Sequence, residues 1–284
     1  MATPSSVWTP VGARNARLFE LTDTIIEPGA ASATAYEGHH VSGLKELTLT
    51  DPEPQQIFHM GDDSVFAVDQ LPATEAIVGQ VMSGKVNAAV EDIITGNNVV
   101  TLGEFKYTGI GTNNRGSEVQ AALAFYRQAL DTDPDSATLG ARRWESFIFP
   151  LALAIPIESG MGGTEFSRTW TFRPQFVKKH LWGLAFSNAT EGFTRAQGIK
   201  TIHEYKPKVA AWKGNGVLAS FNLPVAFPAA SVAKVRLFVY DDSTGTWSDD
   251  TSGATITTTT VDPSALAAAD DIIIAVYEHN EGND

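Results

Sequence analysis

Glu37, His39, His40 and the more distant His59 supply a carboxylate and imidazole nitrogens, the donor types from which a zinc site is assembled. Neighbouring residues point to opposite faces of a strand and diverge by about 100° on a helix, so His39 and His40 do not converge on one ion. They are expected to be arm or surface histidines. Asp62-Asp63 and Asp241-Asp242 offer hard oxygens without the alternating spacing of a calcium loop, and read as solvated turns. Gly109-Ile110-Gly111 has the outline of a dinucleotide-binding turn, but the third glycine should follow three residues after the second, and the next here is Gly116. There is no G-x-S-x-G elbow, and Ser159-Gly160-Met161-Gly162-Gly163 reads as a flexible loop. Trp8, Trp144, Trp170, Trp182, Trp212 and Trp247 could stack on sugar rings, yet their wide separation favours core packing or subunit contacts. No catalytic, cofactor-binding or metal-binding residue emerges, and the chain is not expected to be an enzyme.

Composition narrows the classes further. The 284 residues include no cysteine, which excludes disulfide frameworks, thiolate zinc, iron–sulfur centres and cysteine nucleophiles. Thirty-three acids against 20 bases give −13 at pH 7, the wrong sign for neutralising nucleic-acid phosphates. A hydrophobic fraction of 43% is enough for an ordinary packed core in one large or two modest domains. Met1 to Pro10 lacks the basic start and apolar stretch of a secretory signal, so synthesis and assembly are expected in the cytoplasm. The best apolar run, Phe147 to Ile157, contains Pro150 and Pro156 and is shorter than the roughly 18 residues that span hydrocarbon. Asn188-Ala189-Thr190 matches a glycosylation sequon, which is silent without secretion.

These residues must be carried by a scaffold, and the hydrophobic spacing predicts one that is mainly β. A single helix is expected over Ser117–Leu130, where Val119, Ala122, Leu123, Tyr126 and Leu130 fall three or four apart, Ser117 and Gln120 fit a capping box, and Asp133-Pro134 supplies the stop. Strands are expected over Phe147–Ile157, with its odd positions forming one greasy face and its prolines at edges or bulges, and over Trp170–Phe176, with bulky residues at even positions. Val86–Thr95 and Val99–Thr108 read as a hairpin turning at Gly96-Asn97-Asn98. Residues 27–71 read as a long irregular arm broken by a β-like piece at Leu44–Thr50. A linker is expected at 206–216, between Lys206-Pro207-Lys208 and Gly214-Asn215-Gly216. A small sandwich follows over 217–284, with strands Val217–Leu223, Lys234–Tyr240, Ala254–Val261 and Ile272–Tyr277. From Pro207 onward ten acids face four bases, giving this unit −6 of the total.

The order of arm, Leu47-Thr48-Leu49-Thr50-Asp51-Pro52-Glu53-Pro54, hairpin, isolated helix and two long strands resembles the major tail tube protein of a long-tailed, siphovirus-like bacteriophage or related prokaryotic virus. Gly43–Leu71, Val86–Ile110 with the helix after it, and Phe147–Phe176 carry the likeness, which covers about residues 1–205. Ala233-Lys234-Val235-Arg236-Leu237-Phe238-Val239 resembles the immunoglobulin-like sandwiches that such proteins display outside the tube. The resemblance implies a tail-tube-type β-sandwich or barrel with one flanking helix, assembled as stacked rings of six into a conduit for genome ejection. Its partners would be further copies of the chain, the tape measure, tail terminator and distal tail proteins, and DNA in passage, with no cofactor and no membrane insertion. The location would be the virion tail, after assembly in the host cytoplasm. An acidic lumen would let phosphates slide, and deleting Gly38–Asp63 is expected to leave a soluble protein that makes no tubes. The alternatives are a carbohydrate-binding or adhesin-like module, a capsid decoration protein and a tail terminator.

Overall fold

The computed structural model describes residues 8–22, 25–50, 55–61, 64–71, 78–85, 87–95, 99–103, 105–108, 119–135, 139–161, 166–175, 199–203, 206–224 and 235–279. The chain is mainly β, arranged in several antiparallel sheets. Its elements begin with β1 (Trp8–Thr22), β2 (Ile25–Ile26), β3 (His39–His40), β4 (Leu44–Thr50), β5 (Gln55–Gly61), β6 (Ser64–Leu71) and β7 (Val78–Ser83). The helix α1 (Ala88–Thr95) leads to β8 (Val99–Leu102), β9 (Phe105–Thr108), β10 (Val119–Asp131), β11 (Arg142–Met161), β12 (Phe166–Pro174) and β13 (Ile199–His203). The C-terminal elements are β14 (Lys206–Lys213), β15 (Phe221–Asn222), β16 (Arg236–Asp241), β17 (Thr246–Asp249), β18 (Thr255–Ile256), β19 (Thr260–Asp262) and β20 (Ile272–His279).

The large sheet runs β2-β1-β10-β11-β12-β7-β4, with β3 added to β1 and β13 added to the first half of β11. It curls so that β4, its last strand, comes back beside β1. Inside the curl, Leu18, Val81, Leu123, Phe125, Phe149, Trp170 and Phe172 pack with Val90, Ile93 and Ile94 of α1. The outer face, through Phe19, Ala122, Ala124, Tyr126, Trp144 and Ile148, packs against Val209, Ala211, Phe238, Ile272, Ile274 and Val276. Those last residues belong to the four-stranded sheet β14-β20-β16-β17. The other face of that sheet presents Trp212, Leu237, Ile273, Ala275 and Tyr277 to Phe221 and Val261 of the three-stranded sheet β15-β19-β18 and to Leu223 just after β15. Helix, curled sheet and sandwich therefore form one continuous stack with three apolar cores.

The segment expected to be the single helix, Ser117–Leu130, is instead the strand β10 over its described part. Residues Ala121 to Tyr126 are all buried because β10 lies between two layers, odd positions entering the inner core and even positions the outer one. A strand buried on both faces reads as an unbroken apolar run, and three-four spacing can be picked from such a run by chance. The helix lies where a strand was expected, at Ala88–Thr95. Val90, Ile93 and Ile94 share one face, and Asn87 caps the first turn by accepting from Ala89 N at 3.1 Å. Val99–Thr108 folds as a hairpin on its own, β8 against β9; Gly96-Asn97-Asn98 lies outside the described residues.

The long strand expected at Phe147–Ile157 is present within β11, and its prolines mark bulges in an interior strand, not edges. Leu123 pairs with Phe149 but Ala121 with Ala152, so β11 carries an extra residue at Pro150-Leu151; a second bulge follows Pro156. The first bulge reverses parity. Phe147 and Phe149 point to the inner core before it and Ala152 and Ala154 after it, so the odd positions do not form one face. The even-position pattern of Trp170–Phe176 holds for Trp170 and Phe172, both buried in the inner core. Ser159, Gly160 and Met161, expected in a loop, extend β11 and pair with Arg168, Ser167 and Phe166.

Two boundaries also move. The expected linker at 206–216 contains β14, paired over its whole length with β20 and buried from Lys208 to Trp212. In the expected arm at 27–71, residues 33–41 are extended along neighbouring sheets, β4 is an integral strand and β5–β6 is a hairpin. In the C-terminal sandwich, three of the expected strands are found as β15, β16 and β20, the fourth is divided into β18 and β19, and β17 is additional.

Candidate assembly surface

The chemistry-bearing residues are dispersed by the fold. His39 pairs with Leu18 and lies edge-on to Tyr36 at 5.6 Å, whereas His40 Nδ1 lies 3.2 Å from Ser42 Oγ and Glu37 turns to Lys208 Nζ at 3.8 Å. Among the described residues no group of three His, Asp or Glu side chains could hold a metal ion. Asp241 serves its own turn, accepting from Ser243 N, Ser243 Oγ and Thr244 N; the serine hydroxyl, chief among these, holds its carboxyl below the usual range. Gly109-Ile110-Gly111, Gly116, Asp62-Asp63, Trp182 and Asn188 lie outside the described residues. Trp144, Trp170 and Trp212 are buried in three different cores, and Trp247 packs on Tyr240 at 5.1 Å, so no sugar-stacking row forms among them.

What the fold leaves open is backbone. β4 pairs with β7 on one side; it comes near β1 but forms no second ladder among the described residues. Beside its unpaired edge is a cleft of about 410 Å³ between β4 and β10–β11, walled by Leu47, Leu49, Phe125 and Phe147 with Lys45 and Arg127 among its lining. Arg127 is fixed there. Its Nε donates to the buried carboxylate of Glu145, and its guanidinium lies 5.4 Å from the Phe147 ring centroid. A free β edge next to partly exposed apolar side chains is a template for another strand.

Two hairpins add no strand to the large sheet. The hairpin β5–β6 lies between β4 and β7 in sequence and pairs with nothing else among the described residues, and the same holds for β8–β9. Leu102, near the turn of β8–β9, is 63% exposed. A two-stranded ribbon alone is marginal in water and gains stability by packing against something larger. Sequence reasoning missed the β4 edge because edge status is a property of the sheet order, and only the β-like texture of Leu44–Thr50 pointed to it.

The chain matches no protein-family model, no curated protein and no solved structure.

Proposed function

We propose that the protein is a self-assembling structural subunit, a major tail tube protein of a long-tailed virus that stacks in rings, with the C-terminal sandwich on the outside of the tube. One observation carries the reading: the unpaired edge of β4 lies beside a cleft of mixed apolar and charged lining, next in sequence to a hairpin that pairs only with itself among the described residues. Such edges are completed by strands from further copies. The excess of 33 acids over 20 bases suits a conduit wall from which phosphates are repelled. Location in a virion tail, and contacts with tape measure, terminator and distal tail proteins, belong to the same proposal.

Negative-stain electron microscopy of the concentrated, purified chain tests it. Rings and tubes are expected, and removing the β5–β6 hairpin should abolish them while the fold persists. A chain that stays monomeric at every concentration, or a ring whose channel is lined by Lys and Arg, overturns the tube assignment.

A further inference from the structure

Along the inner face of β10 and β11 the register sets three cross-strand pairs in a row, Leu123 with Phe149, Phe125 with Phe147 and Arg127 with Glu145. The first two pairs pack in the inner core, and the third puts an ion pair at its margin. β4 lies across the curl from them. Leu47 packs on the inner core, and Leu49, two residues on and therefore on the same face, is 37% exposed. An inward-facing leucine left that open means that the curl is not filled by its own side chains at this end. The unfilled space is the cleft of about 410 Å³, and openings of this size at the mouth of a curled sheet are where small ligands are held.

Arg127 is the oriented polar group at that mouth. Its Nε donates to the buried carboxylate of Glu145, and its guanidinium lies over the Phe147 ring. Together the two contacts fix the plane of the guanidinium, so little side-chain freedom remains to be lost on binding. A guanidinium also carries donors on both Nη groups, and among the described residues neither Nη of Arg127 makes a hydrogen bond or ion pair. A fork of parallel donors is the usual partner of a carboxylate. Lys45 adds a second positive charge to the lining, and Glu46, the acid there, accepts from Thr48 Oγ1 of its own strand at 3.0 Å. Glu145 already balances Arg127 in charge, so a small free anion gains little here, and a ligand must also use the apolar walls.

We propose that the cleft binds an amphiphilic carboxylate, its alkyl chain lying against Leu47, Leu49, Phe125 and Phe147 and its carboxylate accepting from the Nη groups of Arg127. Burial of the chain supplies most of the affinity, while the arginine sets the orientation and discriminates against uncharged and cationic heads. Binding concerns a single copy and does not depend on the tube reading. A docking strand would bond to the main chain of β4, whereas this ligand lies against its inward side chains.

Isothermal titration calorimetry of the full chain with sodium decanoate, kept below its micelle concentration, tests it, with decan-1-ol and decyltrimethylammonium as the uncharged and cationic matches. A single decanoate per chain is expected, held about tenfold or more tighter than either match. Arg127→Lys keeps a cation beside Glu145 but loses the fork, and should weaken decanoate by a similar factor while leaving decan-1-ol unaffected. Leu49→Trp fills the cleft from an exposed position and should abolish binding with Arg127 intact. Methyl NMR shifts on adding decanoate should centre on Leu47 and Leu49. Failure of decanoate to bind, equal affinity for decan-1-ol, shifts centred elsewhere, or binding that survives Leu49→Trp overturns the proposal. The wild-type and Leu49→Trp titrations decide it even if Arg127→Lys does not fold.

Discussion

Gly79 is required by the ring of Phe172. A Cβ at position 79 would stand 2.1 Å from Phe172 Cζ, and that ring is fully buried among Phe125, Phe149 and Trp170. Gly79→Ala is therefore expected to destabilise by about 1–3 kcal/mol, the usual consequence of overpacking. Adding Phe172→Leu should recover part of that loss although it is destabilising alone, and urea unfolding of the four species measures the coupling. The burial of Phe172 was legible in the alternation of Trp170 to Phe176. Its neighbour across the ladder was not, because Gly79 lies 93 residues away in sequence and only the register of β12 on β7 brings the two together.

Period-two alternation was readable in β12, and the doubly buried β10 was misread although the equally buried β20 was not, its β-branched isoleucines marking it as a strand. The β12 alternation gave the right strand. Two layers close over β10, so its Ala121-Ala122-Leu123-Ala124 run lost the period-two signal and imitated a helix. The true helix is short, and its β-branched Val90, Ile93 and Ile94 imitated a strand. Asn87 was the available cue: its side chain accepts from Ala89 N, and its Nδ2 donates to His40 O at 2.9 Å. Asn87→Ala should cost about 1 kcal/mol in thermal or urea unfolding, with the far-ultraviolet spectrum still dominated by β signal. The candidate surface was legible only in part, since the sequence marked Leu44–Thr50 as β-like but could not say that β4 ends a sheet.

The whole molecule sets which deletion is informative. Removing Gly38–Asp63, suggested by the arm reading, would take out β3, β4 and all of β5 and so break the large sheet. Replacing residues 52–73 by a short turn spares β4 and β7; this variant is expected to remain a folded monomer by light scattering and to form no tubes in micrographs. Alkaline pH tests the layer boundary. Burial pushes the Tyr36 phenol up to about 12 and, again chiefly through burial, raises Tyr126 and Tyr277 further. A raised phenol contributes stability that is complete below the unfolded value near 10 and is lost as pH climbs through the folded one. Stability should therefore fall above about pH 10, with late tyrosinate absorbance; three phenols that ionise normally while the chain stays folded would contradict their burial.

The four-stranded sheet belongs to two cores at once, and this limits modularity. Residues 206–284 have the outline of a cassette that could be cut out or transplanted, but a fragment ending there would turn Val209, Phe238, Ile274 and Val276 to solvent. A gene carrying the sandwich alone would need that face rewritten with polar side chains before its product could live apart from the remainder of the chain.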